Sequence, residues 1–221
     1  MRVPALFRQP AVLGVAIAVL LIAGAAAVTA RGGEPSAAPS PTPTPSRLPA
    51  TPSATPTRPP TLAQRVLAPK GFRAATAAEA QEAEFPIGAI GLEKAAGFSQ
   101  LKVAQLRALG FSAGQGAIYQ QGTSDNGLGV LVYQFAAPES ADAFRALLAL
   151  NAQQQRYPTF TTPDPPTARG WRLNFPEEDF YAQVITFNRG ARLALMFYFT
   201  DGDLVDQSSL LGWAREQYEL L

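Results

Sequence analysis

Hydrophobic positions along residues 63–221 follow two periods, one typical of strands and one typical of helices. Short apolar runs predict four strands, Ala117–Gln120, Leu128–Phe135, Phe180–Phe187 and Ala191–Phe199. Apolar stripes at helical spacing predict two long helices, Pro138–Gln154 and about Leu204 to Leu220. Turn residues at QGTSDNG and at Asn188-Arg189-Gly190 join the strands into two hairpins.

The order of hairpin and then helix occurs twice along the chain. The segments YQFAAPESADAFRAL and FYFTDGDLVDQSSLL align Phe135 with Phe199 and Leu147 with Leu211. This pseudo-repeat predicts an α+β fold, in which an antiparallel sheet of about four to five strands carries both long helices on one face. The other face would be covered by residues 63–112 or left as a groove.

Shorter helical signals precede the first hairpin. The segment Thr76-Ala77-Ala78-Glu79 has the spacing of a capping box and predicts a helix that runs toward Ala83. A second helix is predicted from Ser99 to Leu109, because Gly110 stands at the C′ position, where glycine commonly ends a helix.

The N-terminal segment is apolar after a basic start. Residues 1–10 contain Arg2 and Arg8, and residues 11–30 are 20 positions without a charge. A helix of that length, at about 1.5 Å per residue, spans a hydrocarbon core of roughly 30 Å. The preceding positive charges predict a single-pass signal-anchor in the plasma membrane, with the N-terminus in the cytoplasm and the C-terminal domain outside. The alternative is a cleaved signal peptide and secretion, since small residues stand at and before Ala30.

Residues 31–62 form a separate segment that is rich in Pro, Ser and Thr. Within it, residues 34–61 have one leucine and no aromatic residue, so they cannot bury a core. We expect a disordered linker with polyproline II character, which at about 3.1 Å per residue reaches up to roughly 90 Å. Residues 63–221 then form one extracytoplasmic domain.

Composition narrows the possible chemistry. The chain has no cysteine and no histidine, which excludes disulfides, Cys/His zinc sites and catalysis by a histidine base. Lipid attachment at a cysteine after the apolar segment is excluded as well. We therefore expect no catalytic residue, no cofactor and no metal, although hydrolysis by paired carboxylates needs only acidic side chains.

Charge is divided unevenly along the chain, whose net charge is +1. Residues 1–62 carry five arginines against one glutamate, which gives +4. Residues 63–221 carry 13 basic and 16 acidic residues, which gives −3. This balance argues against nucleic acid as a partner and against binding of the domain to an anionic membrane. Contact with the bilayer is expected through residues 11–30.

Arg169, Trp171 and Arg172 are the candidate ligand contacts. Aromatic and cationic groups close together in the sequence suit a carbohydrate or an anionic polymer. The alternative is a tryptophan that closes the core beside two surface arginines.

Three other motifs are interpreted as structural. The run Glu177-Glu178-Asp179 fits a solvated turn better than a cation site. The run Asp201-Gly202-Asp203 with Asp206 resembles a calcium loop, but Gly212 stands where the glutamate at position twelve belongs, and carboxylates at a helix start explain the run. The segment Gly114-Gln115-Gly116 lacks the Lys-Ser/Thr of a phosphate loop and predicts a flexible turn.

The order GF, LGF, VYQF, ADAF, VITFNRG and REQYELL resembles uncharacterised exported, membrane-tethered domains of high-GC Gram-positive bacteria. The matching positions cover about 150 residues and are Gly71-Phe72, Leu109–Phe111, Val132–Phe135, Ala141–Phe144, Val184–Gly190 and Arg215–Leu221. The resemblance implies an extracytoplasmic α+β domain and supplies no catalytic residue. Many such domains are lipoproteins, from which this cysteine-free chain departs.

These observations predict a membrane-tethered extracytoplasmic domain without catalytic activity, which binds or senses a ligand at the cell envelope. One alternative is a structural or accessory subunit that docks onto a membrane protein complex. Another is a hydrolase of envelope polymers that uses acidic residues.

Overall fold

The computed structural model describes residues 59–99, 101–122, 126–175, 180–201 and 207–221. The predicted membrane segment, residues 11–30, and nearly all of the predicted linker lie outside these ranges. Within them, no helix has the length and hydropathy that a bilayer crossing requires. The domain boundaries and the signal-anchor therefore stay predictions.

Eight strands and five helices follow a short 3-10 turn, Ala63–Arg65, in the described residues. The strands are β1 (Phe72–Ala74), β2 (Gly88–Ile90), β3 (Phe111–Gln121), β4 (Gly127–Phe135), β5 (Thr159–Thr161), β6 (Arg169–Phe175), β7 (Phe180–Arg189) and β8 (Arg192–Asp201). The helices are α1 (Ala77–Glu82), α2 (Leu92–Ser99), α3 (Val103–Ala108), α4 (Pro138–Gln154) and α5 (Gln207–Leu220).

All the strands belong to one antiparallel sheet, ordered β1-β3-β4-β8-β7-β6-β5, with β2 pairing on the same edge of β3 as β1. The four predicted strands and both hairpins are present, but the expected number of four to five strands is wrong. β1, β2 and β5 have three residues each, which is too short to show a period of two. The sequence does not predict β6, because Arg169 and Gly170 at its start and Arg172 within it interrupt any apolar run.

The two long helices lie on opposite faces of the sheet, which contradicts the predicted α+β arrangement with both on one face. Phe144 of α4 packs against Tyr133 of β4, with ring centres 5.9 Å apart. Trp213 of α5 packs against Tyr198 of β8, with ring centres 5.1 Å apart. The physical reason is that β4 is buried at every position from Gly127 to Tyr133. Since successive side chains of a strand point to opposite faces, both faces need an apolar cover.

The segment expected to cover one face, residues 63–112, is divided between the two. Its later part, which contains α1, α2 and α3, contributes Ala80, Ile90 and Leu106 to the core under α4. Its first part contributes Leu67 to the core under α5. The start of the domain and its last helix therefore share one face of the sheet.

Two local predictions are confirmed by backbone geometry. Thr76 and Glu79 form the capping box of α1, because each side chain accepts a hydrogen bond from the backbone amide of the other. Gly110 follows α3 with a φ of 71°, the left-handed backbone of a C′ residue. The helix predicted from Ser99 begins instead at Val103, because Ser99 ends α2.

Candidate functional site

The predicted ligand contacts in β6 do not share one surface. Trp171 is 1% exposed and packs in the core under α4. Arg172 points to the opposite face, where its Nη2 donates to Gln207 Oε1 over 2.8 Å and its guanidinium lies 5.9 Å from the ring centre of Phe160. Arg169 is exposed at the start of the strand. The structure thus separates the tryptophan from a ligand-accessible surface, and a ligand role for the three residues stays a prediction.

The acidic and glycine motifs fall in different parts of the chain. Residues 176–179 and 202–206 lie outside the described residues, so their interpretation as a turn and a helix start stays a prediction. Gly114 and Gly116 lie inside β3, and a Cβ at Gly116 would collide with the carbonyl of Pro86. The turn predicted at these glycines is therefore wrong. Across the ranges that the structure describes, no group of three or more acidic side chains is placed to hold a metal ion.

Three arginines converge at one end of the sheet, around the C-terminal end of α5; we call Arg65, Arg189 and Arg192 the arginine cluster. Arg65 Nη1 donates to the backbone oxygens of Leu220 at 2.8 Å and Leu221 at 2.9 Å. Arg192 Nη1 donates to the same oxygen of Leu221. Backbone oxygens at a helix C-terminus carry partial negative charge, so they hold the guanidinium groups in place.

Arg189 reaches the same end of α5 from the side. Its Nη1 donates to the carbonyls of Tyr218 and Glu219 at 3.3 and 3.4 Å, and its guanidinium lies 5.3 Å from the Tyr218 ring centre. The carboxylate of Glu219 is 3.7 Å from Arg189 and its side chain is 77% exposed. An ion pair this exposed adds little to stability, and with the carboxylate included the three arginines and Glu219 together keep a formal charge of +2.

Local chain geometry explains why Arg189 and Arg192 are together. They are directly opposite partners across β7 and β8, separated by the two turn residues Gly190 and Ala191. Gly190 has a φ of 58°, the left-handed conformation that a two-residue hairpin turn requires. Like charges at directly opposite strand positions destabilise a sheet, so the folded chain maintains this pair against its mutual repulsion.

Arg65 is brought to the cluster by a clamp on the start of the domain. The amide of Leu67 donates to Gln217 Oε1 over 2.8 Å, and Gln217 Nε2 donates to the carbonyl of Arg65 over 2.7 Å. Gln217 is fully buried. One side chain of α5 therefore fixes the backbone on both sides of Val66 and, with it, the position of Arg65.

The surroundings of Arg65 disfavour its positive charge. Burial lowers the pKa of the Arg65 guanidinium, and the positive charges of Arg192 and Arg189 lower it further. Guanidinium remains charged at any physiological pH. The three cations therefore stay charged and repel one another, and an anion that binds beside them would relieve that repulsion.

The hydrogen bonds described above use one terminal nitrogen of each guanidinium. A guanidinium carries five N–H donors in a planar fork that matches the oxygens of phosphate and carboxylate. Arg189 and Arg192 are partly solvent-accessible. The arrangement is suited to binding an anion, with the helix carbonyls orienting the cations beforehand.

A second charged group, Arg73 with Glu79, is structural. Arg73 donates from Nη1 and Nη2 to the two carboxylate oxygens of Glu79 at 2.9 and 2.6 Å, and also to Gln120. These bonds from Arg73, together with those from Thr76, lower the pKa of Glu79 from 4.5 to about 2. A general acid needs a raised pKa, so Glu79 is a poor candidate for the hydrolase alternative and instead ties α1 to the edge of the sheet.

The sequence contained one usable signal for the arginine cluster. The turn at Asn188-Arg189-Gly190 was predicted, and the spacing Arg-Gly-Ala-Arg places two cations opposite each other once the two turn residues are identified. No signal connected Arg65 to them, because a separation of more than 120 positions is closed only by the packing of the domain start on α5.

Comparisons with known proteins give little guidance. No protein-family model matches the chain, and no curated protein matches it. A solved structure with some similarity is the extracellular domain of PknH from Mycobacterium tuberculosis, which is 14% identical, covers 52% of this chain and 68% of that chain, and superposes with a TM-score of 0.37. Similarity at this level carries no argument about the function of this chain.

Proposed function

We propose that residues 63–221 are a non-catalytic binding domain, tethered outside the plasma membrane, and that the arginine cluster binds an anionic ligand of the cell envelope. The observation that carries the proposal is the convergence of three guanidinium groups at one end of the sheet. Two of them stand at directly opposite strand positions, where a purely structural pair would be expected to be neutral or of opposite charge.

The location outside the membrane is supported by the order of segments along the chain. A basic start, an uncharged apolar segment and a proline-rich linker precede the domain, which is the order of a signal-anchor with an exported domain. The non-catalytic character is supported by the absence of histidine and cysteine, since these residues supply most general bases and activated nucleophiles.

Cysteine labelling in intact bacterial cells tests the location. Because the chain has no cysteine, Ala63→Cys and Ala5→Cys each give one labelling site for a membrane-impermeant maleimide. The proposal expects Ala63→Cys to react in intact cells and Ala5→Cys to react only after lysis. Reaction of both variants only after lysis would place the domain inside and overturn the proposal; recovery of the labelled domain from the medium would support the secreted alternative.

Anion titration of the purified full-length protein in neutral detergent micelles tests the binding function. We expect inorganic pyrophosphate to raise the melting temperature. Arg189→Gln and Arg192→Gln should each weaken this binding by about tenfold or more, the effect expected for a lost charge-assisted hydrogen bond. Arg107→Gln, an exposed arginine in α3, removes the same charge elsewhere and is the matched control.

Three outcomes decide the binding test. Weaker pyrophosphate binding in Arg189→Gln and Arg192→Gln, with unchanged binding in Arg107→Gln, supports the proposal. Equal loss in the Arg107→Gln control would show that net charge alone attracts the anion, and absence of any pyrophosphate effect would remove the proposed function of the cluster.

A further inference from the structure

We propose that the anion recognised by the arginine cluster is the phosphodiester headgroup of an anionic phospholipid, and that the domain docks with this end on the membrane to which the chain is tethered. This inference rests on the proposed function and names the ligand. It also modifies the expectation from net charge, which argued against an anionic membrane.

Chain connectivity puts the cluster nearest to the tether. The predicted linker ends at residue 62, directly before the 3-10 turn Ala63–Arg65. Arg65 is therefore within three residues of the point where the linker joins the domain, and it contacts the end of α5. The cluster can therefore reach the membrane with less extension of the linker than a surface at the far end of the sheet would require.

The cluster has the chemistry of an interface with lipid headgroups. Guanidinium forks donate paired hydrogen bonds to phosphate oxygens. Tyr218 lies under the guanidinium of Arg189 and is half-buried, as is Leu220. A tyrosine with an apolar body and a polar tip suits the boundary between headgroups and acyl chains.

The net charge of −3 on residues 63–221 does not prevent this docking. Charges separated by more than the Debye length, about 8–10 Å at physiological salt, are largely screened from each other. β7 runs from Phe180 to Arg189, so the far end of the sheet is roughly 30 Å from the cluster at about 3.4 Å per residue. When the domain docks, the lipid headgroups therefore interact mainly with the charges at the end of the sheet that carries the cluster.

Förster resonance energy transfer in lipid nanodiscs, measured on the full-length chain, tests the orientation of the domain on the membrane. A donor dye is placed on Ala63→Cys, near the cluster, or on Asn174→Cys, an exposed position at the far end of β6. The acceptor is a headgroup-labelled lipid, in discs of phosphatidylcholine alone or of phosphatidylcholine with phosphatidylglycerol. Since the predicted span holds the chain in every disc, the comparison reports orientation and not recruitment.

We expect more efficient energy transfer from the dye at position 63 than from the dye at position 174. This difference between the two positions should be larger in discs that contain phosphatidylglycerol, and it should decrease at high salt. Arg189→Gln or Arg192→Gln should reduce the ratio of docked to undocked domain about fivefold each, the loss expected for one arginine near an anionic surface. Arg107→Gln should leave the ratio unchanged. Circular dichroism of each variant checks that the fold is retained.

Two results would overturn the inference: equal transfer in the two kinds of disc, or an effect of Arg107→Gln as large as that of the cluster variants. If the nanodisc measurement gives either result but the cluster still binds pyrophosphate, the proposed function stands and only the lipid is excluded as its ligand. Failure of both measurements removes the proposed function as well.

Discussion

Gln217 in α5 and Leu67 near the start of the domain are joined by a buried hydrogen bond, in which the amide of Leu67 donates to Gln217 Oε1 over 2.8 Å. The same side chain donates to the carbonyl of Arg65 over 2.7 Å. A single glutamine thus connects the segment that follows the predicted linker to the last helix, and it determines where Arg65 lies in the arginine cluster.

Replacement of this glutamine should destabilise the domain. Gln217→Ala leaves the Leu67 amide and the Arg65 carbonyl without their partner, and a buried polar group that loses its hydrogen bond costs about 1–3 kcal/mol. We expect the free energy of unfolding to fall by about 2–4 kcal/mol in denaturant titrations. Gln153→Ala, at an exposed position of α4, is the control. Equal unfolding midpoints for the two variants would contradict the clamp.

Removal of the Arg73–Glu79 pair should give a pH-dependent loss of stability. The pKa of Glu79 is lowered from 4.5 to about 2 in the folded state, so its ionised form stabilises the fold above pH 4.5 and this contribution disappears as the pH falls through 2. Glu79→Gln should therefore melt below the wild type at pH 7, and the difference should shrink between pH 4.5 and 2. Glu82→Gln on the same helix removes an acidic charge without breaking the pair. A difference that stays constant over this interval would disprove the role of the ion pair.

The elements that the sequence predicted are those with long, uninterrupted patterns. The apolar run Leu128–Phe135 and the stripe of Pro138–Gln154 occur as strand and helix close to the expected bounds. The three-residue strands have no period to detect, and they form because β3 and β6 offer edges with unpaired backbone groups. The prediction that both long helices pack on one face is wrong because β4 is buried on both faces, so that each face needs an apolar cover.

The candidate site was less predictable than the fold. The sequence predicts Trp171 and its neighbouring arginines as ligand contacts because they are close together along the chain, but alternation along β6 directs adjacent side chains to opposite faces. The arginine cluster depends on contacts between residues far apart in the chain, from Arg65 to Leu221. Such contacts follow from the packing of the completed sheet and helices, which no local pattern encodes.

Loss of the Tyr133 hydroxyl should not destabilise the protein. Tyr133 is 1% exposed, its hydroxyl has no hydrogen-bond partner among the described residues, and burial raises its pKa. Tyr133→Phe keeps the ring packing and removes a buried polar atom, so we expect a gain of about 0–1 kcal/mol in the free energy of unfolding. Tyr181→Phe, at a half-buried position of β7, is the comparison. A loss above about 1 kcal/mol in Tyr133→Phe would show that the hydroxyl makes a stabilising contact.

Two glycine-to-alanine replacements should change stability in opposite directions. A Cβ at Gly170 would lie less than 3.0 Å from three ring carbons of Phe160, the facing residue in β5, whereas a Cβ at Gly212 in α5 meets nothing within 4 Å. Gly170→Ala should cost about 1–3 kcal/mol, because the ring must leave the sheet surface. Gly212→Ala should gain about 0.5–1 kcal/mol, because alanine favours the helix and loses less backbone freedom on folding.

Unfolding in urea measures both changes, and a double variant identifies the cause of the first. If the collision with the Phe160 ring is responsible, Phe160→Ala should remove most of the cost of Gly170→Ala, with a coupling of about 1–2 kcal/mol. Additive effects would assign the cost to the backbone of β6 instead. In that case, packing of the Phe160 ring over Gly170 would not help to hold β5 on the sheet edge, and β5 would be held there by its three residue pairs with β6.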